Sequence, residues 1–174
     1  MRGFGDRYLT AASLALLVLL AGRSAAQAQV AAATVPAAPV AQQPYNPSMA
    51  DLMNMAVQPR HAKIGLAGRA RNWSYLTYET KELVNAFNRI ARTIPSFNGA
   101  DTAALFESQI KQPLDRMDSA IKARDPARFD AAYANLTDSC NLCHRALAKD
   151  WIVIKAPDAG MFGNQDFRGQ AAKP

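Results

Sequence analysis

At 174 residues, 49% of them hydrophobic and 20% charged, the chain can bury one ordinary core, so it needs no disulfide framework to fold. The net charge of +6 comes from 20 basic and 14 acidic residues interspersed along the sequence. There is no basic run and no interleaved aromatic platform, which argues against nucleic acid as a partner.

The chain opens with "MRGFGDRYLTAASLALLVLLAGRSAAQAQ". Arg2 and Arg7 precede an apolar run from Leu9 to about Ala21, and small residues follow, with cleavage expected after Ala26 or Ala28. This is the layout of a secretory signal peptide over residues 1–28, too short to serve as a membrane span. It lacks a twin-arginine pair and a lipid-accepting cysteine, so release as a periplasmic protein without a membrane span is expected. Without Arg2, Arg7, Arg23 and Asp6 the charge falls to 17 basic against 13 acidic residues, a net of +4. Residues 29–47, rich in Ala, Val, Pro and Gln and without periodicity, read as a disordered linker.

From Ser48 the pattern is helical. Met49, Met53, Val57, His61, Ile64, Gly65 and Gly68 fall on one face by steps of three and four. Pro59 lacks an amide donor and crowds the carbonyl of Met55, which predicts a kink or short break. Asn72 can cap a second helix whose stripe is Leu76, Leu83, Phe87, Ile90 and Ile94. "PSFNGAD" reads as a loop, and Asp101 caps a third helix with Phe106, Ile110, Leu114, Met117 and Ile121 inside. Pro113 should bend that helix. Asp125 and Pro126 then start a fourth, with Phe129, Ala132, Tyr133, Leu136, Cys140, Cys143 and Leu147 on one side. The pattern predicts an all-α fold: an up-down-up-down four-helix bundle over residues 48–150, with a C-terminal extension over residues 151–174 packing on it. Within that extension "WIVI" reads as a short strand or extended piece, and Phe162 and Phe167 as its anchors. Trp73, Tyr75 and Tyr78 are expected to anchor the start of the second helix in the core.

The chemistry concentrates at "CNLCH", residues 140–144, which holds both cysteines and one of the two histidines. In Cys-x-x-Cys-His the two thiols add to the vinyl groups of haem and the histidine ligates iron. On a helix all three project from about one face, and that face continues the apolar stripe. A disulfide suits helical spacing poorly. A zinc site built from both cysteines and both histidines strains the adjacent pair Cys143 and His144. A thiol redox motif belongs at the start of a helix in a strand-containing fold. One covalent haem c is therefore the expected cofactor.

With "CNLCH" on the last helix of an exported four-helix pattern, residues 48–150 resemble the class II c-type cytochromes, the cytochrome c′ group. The resemblance implies Cys140 and Cys143 as haem attachment points and His144 as proximal iron ligand. Two departures stand out: some thirty residues follow the motif, and "PRHAKIGLAG" occupies the first helix.

The distal ligand stays open at this level. His61 is the candidate, since it lies on the inner stripe and Gly65 and Gly68 would let a bulky ring approach. A methionine (Met53, Met49 or Met55) and a vacant or water-filled position are the alternatives. Arg60, Lys63 and Arg145 are candidate partners for haem propionates, against a bland reading as a solvated face. The functional expectation is a monohaem electron carrier, not an enzyme, with a redox protein as partner and a homodimer left open. A five-coordinate gas-binding protein, for nitric oxide or carbon monoxide, and a haem subunit of a larger redox enzyme are the alternatives.

Overall fold

The structure is a computed structural model, and it describes residues 44–158 and 160–169. The signal segment and most of the linker lie outside the described residues. Among those described, no helix is long and apolar enough to cross a membrane.

Ser48 opens the fold with reciprocal capping. Its hydroxyl accepts from the Asp51 amide at 3.1 Å, and the Asp51 carboxylate accepts from the Ser48 amide at 2.9 Å. Helix α1 (Met49–Leu52) runs through a π-helical turn (Met53–Val57) into α2 (Gln58–Arg69). The expected break at Pro59 thus takes a specific form. With no amide on Pro59 to reach the Met55 carbonyl, the ladder widens one turn earlier, and the Gln58 amide donates to the Met53 carbonyl. The same device recurs in the third stretch. There α4 (Thr102–Phe106) passes through a π turn (Glu107–Lys111) into α5 (Gln112–Ala123), whose second residue is Pro113. Between these stretches lies α3 (Trp73–Thr93), and the last helix is α6 (Pro126–Ala146). Asn72, Asp101 and Asp125 each cap the helix they precede, accepting from the amides of Tyr75, Ala104 and Arg128.

The segment read as a plain loop contains a small hairpin. β1 (Ser96–Phe97) pairs antiparallel with β2 (Ala100–Asp101) across an Asn98–Gly99 turn. Both turn residues have positive φ, 51° and 79°, the tight hairpin geometry for which Asn-Gly is suited. The Asn98 side chain then donates to the Leu147 carbonyl at 3.0 Å, so the hairpin closes the end of α6.

The helices pack α2 on α3, α3 on α5, α5 on α6 and α6 on α2, around Ile64, Leu76, Leu83, Ile90, Met117, Phe129 and Leu136, all below 2% exposed. Tyr78 departs from expectation: it is 54% exposed, while Trp73 and Tyr75 are half-buried against the core. Contacts between α2 and α6 fix their relative direction. His61 meets Thr137, Gly65 meets Tyr133 and Gly68 meets Phe129, so the two helices run antiparallel. The glycines serve this approach. A methyl group on Gly65 would sit 2.5 Å from the Tyr133 hydroxyl and 2.7 Å from Pro157 Cδ, and one on Gly68 would overlap the Phe129 ring. The ring they admit comes from α6.

Gly68→Ala should therefore destabilise the fold. Alanine's helix propensity returns ~1 kcal/mol, but overlap with a ring that is 1% exposed cannot relax cheaply. A net loss of roughly 1–2 kcal/mol is expected, read as a lower urea midpoint at unchanged slope.

Candidate cofactor site

Cys140, Cys143 and His144 lie on the final turns of α6, where the capping hairpin and the chain after the helix converge. Both thiols are free, Cys143 buried and Cys140 half-buried. They border a cavity of about 340 Å³, within the range of small-molecule sites. Its walls are mostly apolar, with Met49, Met53, Val57, Phe87, Phe106 and Ile110 facing Cys140, Cys143 and His144. Burial pushes the Cys140 thiol up to about 12, with the neighbouring Cys143 adding to the effect, and burial pushes Cys143 up to about 11. Both thiols are therefore neutral near pH 7. That is the reverse of the lowered pKa a thiol–disulfide catalyst needs. Among the described residues no three His, Cys, Asp or Glu side chains stand close enough to hold a metal ion, so the zinc alternative lacks its ligand set.

His144 carries the most specific geometry. Its Nδ1 lies 2.7 Å from the carbonyl oxygen of Ile152. A carbonyl only accepts, so Nδ1 carries a proton, and in the neutral ring that tautomer leaves the lone pair on Nε2. Ligating histidines characteristically have this arrangement. Neutral thiols, a histidine with Nε2 free and an apolar cavity fit a covalently held haem.

His61 is 4% exposed and also lines the cavity, but its ring is occupied. The Thr137 hydroxyl donates to the Tyr133 carbonyl at 3.0 Å, so at 2.9 Å from His61 Nε2 it must accept. The Tyr133 hydroxyl lies 3.3 Å from Nδ1 and donates to the His61 carbonyl at 3.1 Å, and the two rings stack 4.9 Å apart. Ligation by His61 would break the Thr137 bond. Register separates it from the motif as well. His61 is level with Thr137, and His144 follows by seven residues, roughly 10 Å along the axis. Running back seven residues from His61 on the antiparallel partner reaches Asn54, and its neighbour Met53 is half-buried, lines the cavity and has no hydrogen bond to give up.

Burial holds the His61 imidazole down from its ordinary 6.5 to about 4. Between those values the unfolded chain binds the extra proton, so stability rises with pH there and is lost as pH falls from 6.5 towards 4. For the haem-free chain the loss should be on the order of 3 kcal/mol at the acid end. Urea midpoints measured at intervals across that window should fall with pH, and the slope should flatten in His61→Gln.

The charged candidates are spent elsewhere. Arg60 pairs with the buried Glu79 at 2.9 Å and with Glu82 at 3.5 Å, and the Tyr75 hydroxyl also donates to Glu79 at 2.6 Å. Lys63 stands over the Phe162 ring at 5.3 Å. Of the three arginine and lysine candidates the exposed Arg145 is the one that directly follows the motif.

Sequence reasoning missed Asn141, Ile152 and Ile154. The stretch "WIVI" forms no strand ladder. It runs beside α6, where Ile152 and Ile154 line the cavity while Trp151 and Val153 are about 70% exposed, at 69% and 71%. The alternation of that run was the available signal.

No protein-family model, curated protein or solved structure matches the chain. The site defines a helical protein with an apolar cavity edged by cysteine and histidine.

Proposed function

We propose that this chain is an exported, periplasmic monohaem c-type cytochrome that carries single electrons. In this reading the four helical stretches form an up-down-up-down bundle like that of the class II c-type cytochromes. Cys140 and Cys143 hold the haem by thioether links, and His144 is the proximal ligand. The carrying observation is the 2.7 Å bond from His144 Nδ1 to the Ile152 carbonyl, which in the neutral ring leaves the Nε2 lone pair free for iron, on a residue that lines one cavity with both thiols. Bound there, the haem supplies reversible one-electron chemistry, and the chain sets its potential through axial ligands and burial. Met53 would supply the second protein ligand in this reading, in place of His61, because it lines the cavity within one residue of the level of His144 and loses no hydrogen bond on binding. A redox protein is the partner.

An absorption spectrum of the purified protein, oxidised and reduced, with and without carbon monoxide, tests this. Sharp low-spin bands unmoved by the gas are expected. A high-spin spectrum that shifts with carbon monoxide would replace electron transfer by gas binding.

A further inference from the structure

The geometry points to residues 151–154 as a strap that fixes the tautomer of His144, with Asn141 as the residue that positions the strap. This rests on the haem reading for its purpose but not for its geometry. The Ile152 carbonyl must lie where it does for Nδ1 to keep the proton, and two sets of bonds put it there. On one side the Ile152 amide donates to the Lys149 carbonyl at 2.9 Å. On the other, Asn141 grips Ile154 twice: its Oδ1 accepts from the Ile154 amide at 2.7 Å, and its Nδ2 donates to the Ile154 carbonyl at 2.9 Å.

Asn141 precedes His144 by three residues, so both side chains leave the same face of α6 and the strap crosses that face. The rest of the extension is tied down independently. Pro157 lies against Gly65, Gln165 donates to the Tyr75 hydroxyl at 2.8 Å, and Asn72 donates to the Phe167 carbonyl at 3.1 Å. The strap is therefore stretched between fixed points.

Two consequences follow. Donation from Nδ1 to a carbonyl strengthens the imidazole as an electron donor at Nε2, which favours ferric iron and lowers the reduction potential. It also gives a motif position ordinarily free to vary, the first x of Cys-x-x-Cys-His, a specific task. A merely packing strap would cover the cavity with Ile152 and Ile154 but leave the tautomer alone.

The test uses the full-length chain, labelled with ¹⁵N-histidine and produced without haem. Nitrogen shifts at neutral pH should report His144 as the Nδ1–H tautomer. In Asn141→Ala the tautomer ratio should move towards Nε2–H by about tenfold, the effect of losing roughly one hydrogen bond. His61, held by Thr137 and Tyr133, is the internal control and should not change. Asn141→Asp keeps the acceptor for the Ile154 amide and should fall between the two, and it carries the test if the alanine variant does not fold. In the haem-loaded protein, Asn141→Ala should raise the midpoint potential. A wild-type His144 in the Nε2–H form, or an unchanged tautomer in both variants, overturns the strap. Failure of haem to attach sinks the haem reading instead, and the tautomer measurement still decides the strap.

Discussion

Met53→Ala should convert a low-spin spectrum to a high-spin one and open the site to carbon monoxide, from negligible to stoichiometric binding. The expectation comes from register. The pairings of His61 with Thr137 and of Gly65 with Tyr133 put Asn54, with Met53 beside it on the cavity wall, and not His61, near the level of His144. A histidine–methionine pair also gives a higher potential than two histidines, so the midpoint should drop when the thioether is removed. His61→Ala should leave the bands in place and instead cost roughly 1–3 kcal/mol of stability, since it removes a buried ring stacked on Tyr133 and the donor to the half-buried Thr137 hydroxyl. The reverse result, with His61→Ala opening the site and Met53→Ala silent, would assign the ligand to histidine.

Replacing both Cys140 and Cys143 by alanine should abolish covalent attachment altogether. Each thiol contributes one thioether, so either single variant should keep the haem by one link and the double variant by none. His144 remains, but one imidazole in an open cavity holds haem only reversibly, and acid–acetone extraction should remove it. Because both thiols are buried or half-buried and neutral, the alanine pair should fold, which separates loss of the cofactor from loss of the fold. Haem that stays with the double variant through extraction would rule out these cysteines as its anchors.

Much of the helical framework was legible because its signals are local. Three caps, two helix-breaking prolines and four apolar stripes each involve residues within a turn or two of one another. Asn72, Asp101 and Asp125 cap where the side-chain chemistry says they should. The form of the breaks was less accessible. A proline predicts an interrupted ladder, but whether the helix kinks or widens into a π turn depends on the neighbours packed against it. The Asn98–Gly99 hairpin was within reach of sequence reasoning and was read only as a loop. What lay beyond reach was contact at long separation. The glycines after His61 suggested room for a ring, and there is one, but only the packing of α2 on α6 identifies it as Tyr133 and Phe129. Arg60 looked free for a propionate until the fold brought Glu79 against it. The candidate site divides the same way. Its chemistry is written in five consecutive residues, while the place of Met53 on the cavity wall and the grip of Asn141 on Ile154 depend on helix packing and on backbone atoms, which leave no trace in side-chain identity.

The intact mass of the exported, purified protein tests the central claim most directly. The polypeptide should begin near Gln27 or Gln29 and carry the mass of one haem, retained through acid–acetone extraction. The bare polypeptide mass, or a polypeptide that releases zinc and no haem, would contradict the account.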